Sequence, residues 1–118
     1  MGASFKDLVV WQRAIELSTA VYRLTSTFPA PEQFGLINQM RRASVSIPSN
    51  IAEGYARSTK GEYLQFLGHA RGSNAELQTQ LIISQLLELG EKKWYESAEK
   101  LSADVIRMLN ALMTKLKG

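Results

Sequence analysis

Five basic side chains, Arg41, Arg42, Arg57, Lys60 and Arg71, are the residues of this chain best suited to chemistry with an anionic partner. A guanidinium presents a planar fork of donors that matches two oxygens of a phosphate, and a lysine adds a point charge. Arg57 and Lys60 flank a predicted turn. An antiparallel return of the chain after it can bring Arg71 beside the earlier turns that carry Arg41 and Arg42. One such set binds phosphate weakly, but copies of it around an oligomer multiply the contacts. The same arginines can instead cap helices or pair with Glu53, Glu62 and Glu76. A second pattern overlaps the first. Arg42, Ser46, Ser49, Glu53 and Arg57 follow one another at spacings of four, three, four and four, which puts them on one face of a helix. Glu53 and Arg57 can pair directly across one turn. This strip reads either as a polar face that meets a neighbouring subunit or a nucleic-acid backbone, or as a solvated face whose serines support a nearby proline.

Catalytic chemistry is poorly provided for. There is no cysteine, so disulfides, thiolate metal sites and cysteine nucleophiles are excluded together. His69 is the sole histidine, and Glu53 with His69 is the one conceivable acid–base pair. Neither a nucleophile, a metal-ligand set nor a phosphate loop accompanies it, and Asp7, Glu16 and Asp104 show no paired-carboxylate spacing. The expectation is a non-enzymatic protein with no cofactor, no metal and no small-molecule substrate. Tyr55, Tyr63, Phe66 and Trp94 can stack on bases, but they lie on or near apolar stripes and read first as core. Asn74, Gln78 and Gln85 form a polar line that suggests an interface.

The elements that must position these groups are all helical. With 118 residues and 45% hydrophobic residues, the chain reads as one domain spanning residues 1–118 with one core. No apolar run approaches the roughly 18 residues of a membrane span, and Met1 to Asp7 lacks the layout of a signal peptide. A cytoplasmic setting is expected. The net charge of +3 permits nucleic-acid contact without demanding it.

Helical periodicity is sustained in four blocks. The first runs from about Asp7 to Thr27, with Val10, Ala14, Leu17, Val21, Leu24 and Phe28 as its apolar line and Leu8, Trp11, Ile15 and Tyr22 widening it. Phe28-Pro29-Ala30-Pro31 ends it. The second runs from about Glu32 to Ala56, with Pro31 at its first position and Leu36, Met40, Ala43, Ile47, Ile51 and Gly54 facing inward. Pro48 predicts a kink in one bent helix, and Ser44, Ser46 and Ser49 can satisfy the backbone groups it frees. The third opens with Thr59-Lys60-Gly61-Glu62, a capping box. Its apolar residues are Tyr63, Phe66, Leu67, Ala70, Leu77, Leu81 and Leu87, and Gly90 is placed to end it as a left-handed cap. Gly68 and Gly72 inside it suggest close backbone approach. The fourth spans about Lys92 to Leu116 on Trp94, Ala98, Leu101, Val105, Met108, Leu112 and Leu116. Short connections predict an antiparallel up-down four-helix bundle; a three-helix core with one helix donated to a partner is the smaller alternative.

The stretch Gln39-Met40-Arg41-Arg42-Ala43-Ser44-Val45-Ser46-Ile47-Pro48-Ser49-Asn50-Ile51-Ala52-Glu53-Gly54 carries a helix-interior proline in a long, specific context. It resembles the four-helix-bundle family first recognised in intervening sequences of bacterial 23S ribosomal RNA genes. That family includes the accessory variability-determinant proteins of diversity-generating retroelements. The likeness extends from Phe5-Lys6-Asp7-Leu8 and Val10-Trp11, through Phe34-Gly35-Leu36, Gly72-Ser73 and Glu76-Leu77-Gln78-Thr79-Gln80-Leu81, to Met108-Leu109-Asn110-Ala111-Leu112. Within it Pro48, Ser49, Asn50, Glu53 and Gly54 stand as motif residues. The resemblance implies a ring-shaped homo-oligomer, a homopentamer around a central pore. For the retroelement members it implies binding to a reverse transcriptase and to nucleic acid through basic surface. Arg57 stands where the family commonly has a basic residue. Ala56 replaces a frequent glycine, and Gly68-His69-Ala70-Arg71 is less typical. A structural protein-interaction scaffold without nucleic-acid affinity is the competing function.

Overall fold

Ser4 caps the first turn of the chain reciprocally. Its hydroxyl accepts from the Lys6 amide at 3.1 Å, and its own amide donates to Asp7 at 3.0 Å. The computed structural model describes residues 3–118. Met1 and Gly2, at the start of the N-terminal segment, and the side chains of Gln33 and Phe34 lie outside the described residues. A short 3-10 turn, Phe5–Asp7, precedes four helices: α1 Val9–Thr25, α2 Asn38–Tyr55, α3 Lys60–Leu86 and α4 Lys93–Lys117. No strand occurs among the described residues.

Each helix packs on its neighbours in chain order, and α4 closes back on α1. The chain therefore runs up, down, up and down around one core, in a bundle 44 Å long and 22 by 21 Å across. Leu17, Leu24, Met40, Ile47, Ile51, Leu67, Leu77, Leu81 and Leu109 are fully buried along its axis. Each such side chain contributes about 1.5–3 kcal/mol relative to exposure.

The apolar lines expected for α1 and α2 both face this core, with Leu36 half-buried at its edge. The helix boundaries are tighter than the pattern suggests. α1 stops at Thr25, where hydroxyls of Thr25, Ser26 and Thr27 bond back to the carbonyls of Val21, Arg23 and Leu24. α2 begins at Asn38 rather than near Glu32. Ala30–Glu32 is a 3-10 turn, and Gln33–Ile37 is a wide turn broken at Gly35, whose φ of −108° and ψ of −110° are not helical.

α2 runs unbroken through Pro48. A proline cannot donate to the carbonyl four residues back, which here is Ser44. That carbonyl accepts instead from the Ser18 hydroxyl of α1 at 2.7 Å. The repair is thus made by the neighbouring helix. The local serines are otherwise engaged: Ser44 donates to the Arg41 carbonyl, and Ser46 pairs with Ser73 of α3 and accepts from Asn50.

α3 and α4 depart from the sequence pattern at several positions. Half of the capping box forms. The Glu62 amide donates to Thr59 Oγ1 at 3.1 Å, but the Glu62 carboxylate takes the Thr59 hydroxyl rather than its amide. The left-handed residue that ends α3 is Glu88, at φ +57°. Its amide and that of Leu89 return to the carbonyls of Gln85 and Ser84, closing the helix as a Schellman turn. Gly90, at φ +72°, serves the loop beyond. A Cβ there would lie 2.7 Å from Thr27 Oγ1. Gly68 and Gly72 make no close approach within the chain, since a Cβ on either would meet nothing within 4 Å. Gly54 is where helices come together instead: a Cβ there would lie 2.8 Å from Phe66 Cβ.

The buried line of α4 is Tyr95, Ala98, Ser102, Val105, Leu109 and Met113. Trp94, Leu101, Met108, Leu112 and Leu116 lie on its flank, half-buried. The apolar pattern misleads there because a polar residue holds a core position. Asn74 of α3 is fully buried and donates to the Ser102 carbonyl at 3.0 Å, while the Ser102 hydroxyl donates to Asn74 at 2.6 Å. Asn74 is accordingly a core residue and not part of a surface polar line. Leu87, expected on the apolar face, is 59% exposed, because the buried rhythm of α3 continues through Leu81 and Ser84.

Candidate nucleic-acid interface

α2 divides its polar residues between two ends. Arg41 and Arg42 lie in its first turns, and Arg57 and Lys60 lie beyond its C-terminus. Fifteen residues separate Arg42 from Arg57, roughly 22 Å at the helical rise. The five basic residues therefore do not form one cluster. Arg71 is also apart: it faces α4, where its guanidinium donates to Asn110 at 3.0 Å, and it does not turn toward the early turns of α2.

At the upper end, Arg41 is anchored across the α1–α2 seam. Its Nε donates to Thr25 Oγ1 at 2.8 Å. Its guanidinium lies 4.5 Å from the centre of the Tyr22 ring, a separation at which the cation is drawn to the ring face. Thr25 is fully buried and donates in turn to the Val21 carbonyl, so the hydroxyl that holds Arg41 is itself fixed. Arg42, one residue on, points to the surface. It stands between two grooves. One, of about 490 Å³, is lined by Tyr22, Asn38, Arg41, Arg42, Val45 and Ser46. The other, of about 360 Å³, lies toward α3 and includes Gln39, Ser73 and Glu76. No salt bridge among the described residues involves Arg42.

At the lower end the pattern differs. Arg57 pairs with Glu53 at 2.8 Å, as the one-turn spacing predicts, and its guanidinium sits 4.6 Å from the centre of Phe66. Both partners of the pair are about half exposed, so its contribution is only about 0.3–0.5 kcal/mol. Electrostatically it still cancels the charge locally. Lys60 is exposed at the first turn of α3 without a salt bridge among the described residues. Tyr55 meets Tyr63 edge to face at 6.0 Å. Burial pushes the Tyr63 hydroxyl above the ordinary tyrosine range, and Tyr55 adds to the shift.

The strip from Arg42 to Arg57 does lie along the outside of α2, with Ser46 half-buried and Arg42, Ser49, Glu53 and Arg57 exposed. Of the motif residues, Pro48 and Gly54 are buried, and Asn50 donates to the Ser46 carbonyl at 2.8 Å. The candidate acid–base pair does not assemble, since Glu53 faces Arg57 and His69 stacks on Phe66 with ring centres 5.6 Å apart. Among the described residues no group of acidic, histidine or cysteine side chains could hold a metal ion, and no helix is long and apolar enough to cross a membrane.

The residue that sequence reasoning passed over is Tyr22. It widens the apolar stripe of α1 by its spacing, yet it is 44% exposed and shares the groove with both arginines. Its position at the margin of the stripe, with a polar tip, was the available signal.

No curated protein gives a significant match to the chain. Among solved structures the fold is similar to that of a protein of unknown function from the S23 ribosomal protein family of Bacteroides thetaiotaomicron VPI-5482. The TM-score is 0.83 at 22% identity, covering 92% of this chain and 98% of that one. At that identity the likeness speaks for the four-helix fold. The family model described as 23S rRNA-intervening sequence protein matches residues 6–111, nearly the whole bundle and all of the α2 motif, and the chain belongs to that family.

Proposed function

We propose that this chain is a non-enzymatic, oligomeric binding protein of the cytoplasm that presents basic surface to RNA or DNA, or to an enzyme that handles them. The observation that carries the reading is Arg42, an exposed guanidinium on the ridge between two grooves that forms no salt bridge among the described residues. One such group binds phosphate weakly. Repetition around a ring-shaped homo-oligomer, the pentamer that the family resemblance implies, supplies the avidity. Assembly is supported by apolar surface that one bundle leaves open: Ile82, Ile83, Leu86 and Leu87 are 57%, 43%, 79% and 59% exposed at the end of α3, an unusual density for a monomer surface.

The same apolar surface favours a second reading, a protein-interaction scaffold with no affinity for nucleic acid. Binding of the purified protein to mixed-sequence RNA and DNA across a salt series, with assembly mass recorded in the same buffers, separates the two. The proposal expects micromolar or tighter binding that falls steeply with salt. An intact oligomer that binds neither polymer at low salt would overturn it in favour of the scaffold.

A further inference from the structure

The upper groove offers more than charge. A phosphate-binding arginine needs only to be exposed, whereas Arg41 is held in place by its surroundings. The buried Thr25 hydroxyl fixes its Nε at 2.8 Å, the Tyr22 carbonyl lies 3.4 Å from a terminal nitrogen, and the Tyr22 ring lies beneath the guanidinium at 4.5 Å. The result is a stacked pair of aromatic ring and cation, partly open to solvent. Val45, 42% exposed, supplies an apolar neighbour. Asn38 supplies a hydrogen-bonding amide on the same groove, and Arg42 supplies positive charge at its rim. The groove, about 490 Å³, falls in the roughly 300–1,000 Å³ range of small-ligand sites.

A stacked ring and cation, an apolar side wall, an edge-reading amide and a neighbouring guanidinium are the parts needed to hold one unstacked nucleotide. Bases stack on aromatic and guanidinium planes, and in a duplex the base faces are occupied by neighbouring base pairs. We propose that this groove is a single-strand site: one base stacks against the Tyr22–Arg41 layer while its phosphate lies at Arg42. The inference rests on the nucleic-acid reading above and deepens it by choosing single-stranded over duplex substrate.

The test uses the full chain in its assembled form with fluorescently labelled uridine and thymidine oligomers and a duplex of equal length. Tyr22→Ala weakens single-strand binding about tenfold, with the salt slope unchanged because the charge is unaltered. Tyr22→Phe retains the affinity. Arg42→Gln instead lowers the salt slope by about 0.7 for each subunit engaged, the increment for one phosphate left unneutralised. Duplex binding responds to Arg42→Gln but not to Tyr22→Ala. Photocrosslinking of the unaltered protein to an iodouridine oligomer, mapped by mass spectrometry, places the crosslink at Tyr22 and removes any dependence on how the variants fold. Single-strand binding that is indifferent to Tyr22→Ala, or crosslinks found only elsewhere, overturns this site and leaves the broader proposal standing. Absence of binding by the unaltered protein to every polymer sinks the broader proposal, and this site with it.

Discussion

The two ends of α2 carry similar residues and treat them differently. At the upper end a tyrosine and two arginines leave one guanidinium pinned to an exposed ring and the other facing solvent. At the lower end Arg57 is closed off by a carboxylate and a phenyl ring. The difference lies in what each helix face meets. The upper half of α2 is tied to α1 through Ser18 and Thr25, which leaves its outer face clear. The lower half is drawn against α3 at Gly54, and its partners Tyr63 and Phe66 crowd the turn. The ends differ in the availability of a guanidinium to phosphate, since Glu53 neutralises Arg57 and no salt bridge among the described residues engages Arg42.

Substitutions at either end test this difference. The largest effect is expected at the lower end. Gly54→Val drives side-chain carbon into Phe66 and the Tyr63 carbonyl, and should cost about 2–3 kcal/mol of stability, read as a lowered denaturation midpoint. Tolerance of valine there would mean that the lower helices are not held as closely as described.

At the upper end, Ser18→Ala leaves the Ser44 carbonyl without its partner and should cost about 1–2 kcal/mol. The loss should shrink in a Pro48→Ala background, where residue 48 regains an amide to serve that carbonyl. A loss of equal size in both backgrounds would show that Ser18 is not repairing the proline.

Arg42→Gln should reduce the salt slope for nucleic acid by about 0.7 per engaged subunit, while Arg57→Gln leaves it nearly unchanged because Glu53 already neutralises that group. Equal effects of the two changes would erase the distinction between the ends. Its converse is Glu53→Gln, which should cost only about 0.3–0.5 kcal/mol yet raise nucleic-acid affinity by releasing Arg57.

The smallest effect is an alkaline pH dependence that Tyr63 at the lower end shares with Tyr95 of α4, whose hydroxyl burial also pushes upward. The Tyr63 hydroxyl titrates above its ordinary range because burial opposes its ionisation. The unfolded chain therefore loses that proton first. Its contribution to stability is complete below the ordinary tyrosine pKa of about 10 and declines as pH rises beyond it. Tyr63→Phe should flatten that alkaline decline in a urea titration; an unaltered decline would assign it to other groups.

Much of the fold was legible because helix periodicity is a local signal. Val10, Ala14, Leu17, Val21 and Leu24 of α1 and Met40, Ala43, Ile47 and Ile51 of α2 are buried as their spacing requires. That signal weakens wherever a polar group is recruited into the core. Asn74 and Ser102 occupy the same four-three-four rhythm as their apolar neighbours in α3 and α4, but neither reads as core until its partner is seen 28 residues away. The cap of α3 is hidden for a related reason. Glycine is the usual left-handed residue, and Glu88 takes the role here because the loop after it needs Gly90 against Thr27 and Phe28.

The sequence by itself determined the class of fold, the family through its α2 motif, and the Glu53–Arg57 pair, all of which depend on residues within a few turns of one another. The tertiary structure alone decided which of five basic residues stand free and where the proline's orphaned carbonyl finds its donor. It also decided that Tyr22 lies under Arg41 rather than in the core. Each of these is settled between helices, where contact depends on rotation and register that no single helix encodes.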